Sequence, residues 1–145
     1  MVTDTAIREE TAEIVRLALG RGSRRLRQQA EPHLSPSRAA ALATIARTGP
    51  LTPSALAEIE QISRPGATRL VARLKEQGLV VCTPDPNDGR SYLVSISADG
   101  SALRQLRRSR KQAYLLRLLE RADPAELELL DAAARVLLRL LEDDR

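Results

Sequence analysis

The sequence predicts a mainly α chain (α+β) with one small β element, and three features carry that expectation. The apolar stock is aliphatic, with no Phe or Trp and two Tyr; Leu, Ala and Val pack well in helical bundles and specify a β-sandwich poorly. Three segments open on a capping side chain followed by proline: Ser35-Pro36, Thr52-Pro53 and Asp123-Pro124. The side-chain oxygen satisfies orphan N–H groups, and proline, which lacks one, fits the first helical position. Finally, two short apolar runs, "LVVCT" and "YLVSIS", flank the stretch "PDPNDGR", as two strands flank a loop.

At 145 residues the chain suffices for one domain with a core, or for a small domain flanked by helices that need a partner. Its formal charge is +4 and its pI near 10.0. Of the 23 cationic side chains, only Lys75 and Lys111 are lysine, and arginine is the residue that forks onto phosphates and guanine edges. A single cysteine, Cys82, excludes an internal disulfide framework and suits a reducing compartment. No stretch reaches the roughly 20 apolar residues of a membrane span. The opening "MVTDTAIREE" is too acidic and polar for a signal peptide, so a soluble, cytoplasmic protein is expected.

Taken in order, Thr5 to Gln29 carries Ile7, Thr11, Ile14 and Ala18 at helical spacing, with Gly20 and Gly22 expected to loosen its middle. The Ser35-Pro36 start opens a helix to about Arg47, stopped by Gly49 and Pro50. Thr52-Pro53 opens a short one to about Glu60. A turn around Gln61 to Ser63 leads into a further helix whose Ala67, Leu70, Val71 and Leu74 fall on one face. Gly78 suits the left-handed position after that helix, and Leu79 can touch Leu74 across the cap, as in a Schellman motif. Strands are expected at Leu79 to Thr83 and Tyr92 to Ser97, with the prolines and an Asp-Gly turn between them. A long helix follows, from about Ala98 to Arg121, whose Arg104, Arg107, Arg108, Arg110 and Lys111 read as a solvated face. Asp123, Pro124 and Glu126 resemble a capping box opening a last helix. There Leu127, Leu130, Ala134, Leu137 and Leu141 form a 3-4-3-4 stripe like a coiled-coil seam.

Catalysis has little support. The one histidine, His33, and Cys82 lie in segments without convergent partners, and no metal-ligand spacing or Gly-rich phosphate loop is present. Cys82 reads as a packed thiol on an apolar strand. No cofactor or metal is expected. The helix–turn–helix is more telling, because a short helix, a tight turn and a longer second helix let the second enter a DNA major groove. Opposite its apolar face lie Pro65, Thr68, Arg69, Ala72, Arg73 and Glu76, with Arg64 near the boundary at the helix start, and the arginines toward the N-terminal half suit base edges and phosphates. The hairpin that follows directly reads as a wing. Arg90 at its end can reach the narrow, strongly negative minor groove, with Asp85 and Asp88 supporting the wing through short-range pairing and Asx-type bonds.

These residues resemble the MarR family of bacterial transcriptional regulators, which are winged-helix homodimers. The resemblance is carried by "LTPSALAEI", "SRPGATRLVARLKEQGLV" and "DPNDGRSYLVSIS" followed by "ADG", and with the flanking helices it covers nearly all of the chain. It implies that Asp88, Gly89 and Arg90 match the family's Asp-x-Arg wing end, with Arg90 as the minor-groove residue. It implies too that Ser63 to Arg69 begin the recognition helix, and that first and last helices form a dimer interface, here through Ile7, Ile14, Leu127, Leu130, Leu137 and Leu141. The chain departs from relatives with further basic residues in the wing, having Pro86, Asn87 and Gly89 there. It departs also from peroxide-sensing members, whose cysteine lies near the N-terminus. Many relatives bind small aromatic anions between the dimerisation and DNA-binding parts; the resemblance thus implies a small-molecule effector, whose binding residues the sequence leaves unassigned.

The full expectation is a winged helix-turn-helix with long N- and C-terminal dimerisation helices and a two-stranded wing: residues 1–34 for dimerisation, 35–97 for DNA binding, 98–145 again for dimerisation. A homodimer would set two recognition helices into successive major grooves of double-stranded DNA, on a pseudo-palindromic operator with half-sites about 10 bp apart, and repress by occlusion. The expected DNA contacts are Ser63, Arg64, Pro65, Thr68, Arg69 and Arg73 in the groove, Arg90 on the wing, and Ser37, Arg38 and Ser54 at or near helix N-termini facing phosphate. Two rivals are a winged-helix module that meets an acidic protein through the same arginines, and an enzyme using Cys82 and His33.

Overall fold

Residues 4–30 and 34–144 are described by the structure, a computed structural model; His33 lies outside them. The order is α1 (Asp4–Gln29), α2 (Pro36–Thr48), α3 (Pro53–Glu60), α4 (Arg64–Glu76), β1 (Val80–Asp85), β2 (Asp88–Ile96), α5 (Ala98–Leu119) and α6 (Pro124–Asp143). A mainly helical chain with one two-stranded antiparallel sheet is thus what forms. The anticipated N-caps all form. Ser35, Thr52 and Asp123 accept from Arg38, Ala55 and Glu126 N–H respectively, and Asp123 with Glu126 completes a capping box.

The core is small and lies in the middle of the chain. Its buried cluster runs from Ala41, Leu42 and Ile45 of α2 through Leu56, Val71 and Leu74 to Leu79, Val80 and Val94. Thr44, the buried polar residue beside it, donates its hydroxyl to Glu60 and so ties α2 to the end of α3. By contrast α1 and α6 bury none of their described residues: Ile14 is 60% exposed and Leu129 71%.

Four local features differ from the sequence reading. Gly20 and Gly22 do not interrupt α1, which continues to Gln29. The strands reach further than expected, pairing Val80 with Ile96 through Asp85 with Asp88, so the turn is Pro86-Asn87 and the Asp88-Gly89 pair lies in β2. Pro84 is accommodated because a two-stranded sheet is all edge, and the register shifts beside it, between Pro84 and Asp85. Leu51, in the α2–α3 connection, adds a bridge to the sheet by exchanging backbone bonds with Val94 (3.2 and 2.8 Å). Finally, Gln61 ends α3 in the left-handed region at φ 54°, a conformation that disfavours a side chain with Cβ.

The end of α4 closes as a Schellman motif. Gly78 has φ +72°, its N–H donates to the Lys75 carbonyl (2.9 Å), and the Leu79 N–H donates to Leu74 (2.9 Å). The start of α5 is fastened to the same spot. Ser97 N–H donates to the Leu79 carbonyl (3.0 Å), its hydroxyl donates to the Gly78 carbonyl (2.5 Å), and that hydroxyl accepts from Gly100 N–H (3.0 Å). Gly100 is required here, since a Cβ on it would stand 2.1 Å from the Leu79 carbonyl oxygen. Gly100→Ala is therefore expected to destabilise the fold by about 1–3 kcal/mol, the range for overpacking, read as a lower urea midpoint; an unchanged midpoint would show that this joint yields.

Candidate nucleic-acid interface

Helix α4 owes its orientation to its two faces. Ala67, Val71 and Leu74 are buried against the core, which leaves Arg64, Pro65, Thr68, Arg69 and Arg73 exposed on the other side. Its N-cap Ser63 accepts from Gly66 N–H (3.1 Å), and the Thr68 hydroxyl donates back to the Arg64 carbonyl (3.1 Å). That internal bond engages the Thr68 hydroxyl on the backbone of its own helix.

A groove of about 310 Å³ runs between the α2 N-terminus and α4, lined by Ser35, Arg38, Gly66, Arg69, Leu70 and Arg73. Arg38 enters it from α2. Its guanidinium donates to Gln77 Oε1 (2.9 Å) and to Ser35 Oγ (3.2 Å), so one side chain crosses from the start of α2 to the end of α4. Three arginines separated in sequence thus meet in one hollow. Gln77 was absent from the sequence reading, because nothing local links it to a residue 39 positions earlier. Ser37 is exposed beside this groove on α2, and Ser54 is half-buried in the first turn of α3; neither lines the groove.

On the hairpin, Asp85 Oδ1 accepts from Asn87 N–H (2.9 Å) and Asp88 Oδ1 from Arg90 N–H (3.0 Å). Both carboxylates thus engage backbone on either side of the turn, and the Arg90 side chain is exposed. Cys82, half-buried on β1, packs against the core cluster. Burial, and then the nearby Cys82, push the Tyr92 phenol above its ordinary range. Among the described residues no group of His, Cys, Asp and Glu could hold a metal ion.

Charge elsewhere is arranged differently. The ion pairs among the described residues are Arg8–Asp4, Arg16–Glu13, Arg135–Asp131 and Arg139–Asp143, all within α1 or α6. The hydrogen bond from Arg16 lowers the Glu13 carboxyl, as that from Arg135 lowers Asp131. None of these pairs involves Arg64, Arg69, Arg73 or Arg90, so the exposed cationic surface of α4 and the hairpin is left for an external anion. The expected solvated face on α5 is partly a mistake: Arg107 is half-buried and donates to the Ala30 carbonyl (3.1 Å), closing the end of α1, and burial lowers its pKa.

The described helices include none long and apolar enough to cross a membrane. A profile of the MarR family matches residues 34–91. An HTH-type transcriptional regulator of Mycobacterium bovis is 38% identical over 128 residues, 88% of this chain and 90% of its own length. A structure of a transcriptional regulator protein from Pseudomonas aeruginosa superposes with a TM-score of 0.83 at 30% identity, covering 97% of this chain and 98% of its own. A variant of S. aureus MepR bound to an oligodeoxyribonucleotide shares the fold, with a TM-score of 0.73 at 18% identity over 90% of this chain and 97% of its own.

Proposed function

The chain belongs to the MarR family of winged-helix transcriptional regulators, and from that premise we propose that it is a homodimeric repressor of a pseudo-palindromic operator, released by a small-molecule ligand. One observation carries the reading. The outer face of α4 presents Arg64, Arg69 and Arg73 without an ion pair among the described residues, while the opposite face is locked into the core. A helix held rigidly on one side and cationic on the other suits major-groove entry. That a neighbour of the same fold is bound to an oligodeoxyribonucleotide supports it.

In this reading Arg69, with Arg64, Thr68 and Arg73, meets base edges, and Ser63 and Pro65 set the close approach of the helix start. Arg38, Ser37 and Ser54 face phosphate, and Arg90 enters the minor groove from the hairpin. Residues 35–97 form the DNA-binding unit; residues 1–34 and 98–145 form the dimerisation parts. Support for the dimer comes from the uncovered leucines of α6, with Leu130 51% and Leu141 54% exposed, and from Ile7 and Ile14 on α1; Leu127 and the half-buried Leu137 continue the stripe. A contiguous apolar face of this kind marks an association surface. No catalytic role is assigned.

Selection of bound fragments from random DNA tests affinity, symmetry and half-site spacing together. Recovery of inverted half-sites about 10 bp apart is expected; recovery of no preferred sequence would remove the proposal. On a selected site, Arg69→Ala should cost about 1–3 kcal/mol and relax preference at one base position. A uniform loss over all sequences would assign Arg69 to phosphate. Arg90→Ala should weaken binding most on A/T-rich flanks, where the minor groove is narrow, and an equal loss on G/C flanks would contradict minor-groove insertion. Leu130→Asp should raise the dimer dissociation constant at least about tenfold by analytical ultracentrifugation, and an unchanged mass distribution would place the interface elsewhere.

A further inference from the structure

Gln77 closes α4, and its backbone is held there. Its N–H donates to the Arg73 carbonyl (3.2 Å), and the next two residues, Gly78 and Leu79, make the bonds that end the helix and receive α5. The side chain is exposed and contributes nothing to the core. Its Oε1 accepts from Arg38 Nη1 (2.9 Å), a bond between residues 39 positions apart. Arg38 Nε donates to Ser35 Oγ (3.2 Å), so the guanidinium is gripped from both its own helix and α4. Its remaining donors are left for a group in the groove that Arg69 and Arg73 also line. Among the described lining residues of that groove there is no Asp or Glu.

An exposed arginine ordinarily moves among many rotamers, and fixing it on a ligand costs binding free energy. Here the fixing is done before any anion arrives. We propose that Gln77 is a positioning residue for DNA: it aims Arg38 at a backbone phosphate in the groove bordered by Arg69 and Arg73, and it does so without cancelling charge. The role rests on the DNA-binding reading above. A glutamate could make the same bond and, being charge-assisted, hold Arg38 more firmly. It would also neutralise Arg38, or Arg73 one turn back on the same side of α4, and set a carboxylate beside the phosphate. Firm orientation and undiminished charge are thus opposite demands. Among side chains of this length only an amide supplies a neutral acceptor.

The test uses the full chain and a site selected from random DNA, with affinity read by fluorescence anisotropy across a range of salt concentrations. Gln77→Ala should weaken binding about 2- to 12-fold per subunit, the cost of ordering one long side chain, with an unchanged salt slope because Arg38 still reaches phosphate. Gln77→Met, nearly as long but without the acceptor, should repeat that result. Gln77→Glu should bind less well than either at low salt and give a slope shallower by about 0.9 per subunit, the share of one phosphate, although its thermal midpoint should equal or exceed that of Gln77→Ala. Arg38→Ala should show the same shallower slope, and adding Gln77→Ala to it should cost nothing more. The preferred bases should stay the same in every variant.

The role is overturned if Gln77→Glu binds as tightly as the wild type, which would make the bond a structural tie. It is overturned too if Gln77→Ala costs as much without Arg38 as with it, if the loss is confined to Gln77→Ala and absent from Gln77→Met, or if the preferred bases change, which would put Gln77 on a base edge. A wild-type chain that selects no DNA removes the regulator reading and this role with it; one that selects DNA while its Gln77 variants bind like the wild type overturns this role alone.

Discussion

The backbone at Leu79 is the constraint on which the arrangement of this protein depends. There α4 ends, β1 begins and α5 is fastened, within the space left by one missing side chain at Gly100. The Gly78 and Leu79 carbonyls, which would otherwise be orphaned at a helix end, are taken up by the hydroxyl and N–H of Ser97. The same hydroxyl then caps α5 through Gly100. Three elements share this one set of bonds, which ties the end of α4 to the start of α5. The outward aim of Arg69 and Arg73 is thus set by core packing on one side and by this knot at the end.

Around that frame the charges divide by position. Carboxylates on α1 and α6 are engaged by arginines one turn away, exposed pairs of small individual worth. Their larger effect is where they are not: the α4 face and the hairpin end carry arginines, while Asp85 and Asp88 spend their oxygens on backbone N–H groups. Arg38 is the intermediate case. Gln77 and Ser35 hold it by neutral bonds, which orient a guanidinium without neutralising it.

How much of this was legible in the sequence follows from the range of the interactions involved. Helix starts were legible because a cap is a contact over three residues, and the Schellman end of α4 because it spans six. The hairpin was legible in kind but not in extent, since Pro84 reads as a breaker and becomes harmless only in a sheet without a central strand. Gln61 carries no glycine-like signal for its left-handed turn, yet it closes α3 as Gly78 closes α4, its N–H donating to the Glu58 carbonyl (3.3 Å) and the Ile62 N–H to that of Ala57 (3.0 Å). On α5 the periodicity put Arg107 in solvent, because the carbonyl it reaches comes from Ala30, 77 residues earlier. The site divides in the same way. The arginine face of α4 could be drawn on a helical wheel, whereas the meeting of Arg38 with Arg69, Arg73 and Gln77 needs α2 packed against α4.

The remaining consequence concerns the long helices. A helix takes most of its stability from burying an apolar face, yet α1 and α6 bury no described residue within the chain, and the core that does exist runs from Ala41 to Val94. Covering those leucines by association would stabilise the helices and fix the direction of α5 at once. Through the bonds at Leu79 the start of α5 is fastened to the end of α4, and α5 also packs against α1, so the covering of the terminal helices and the aim of the α4 arginines share one element.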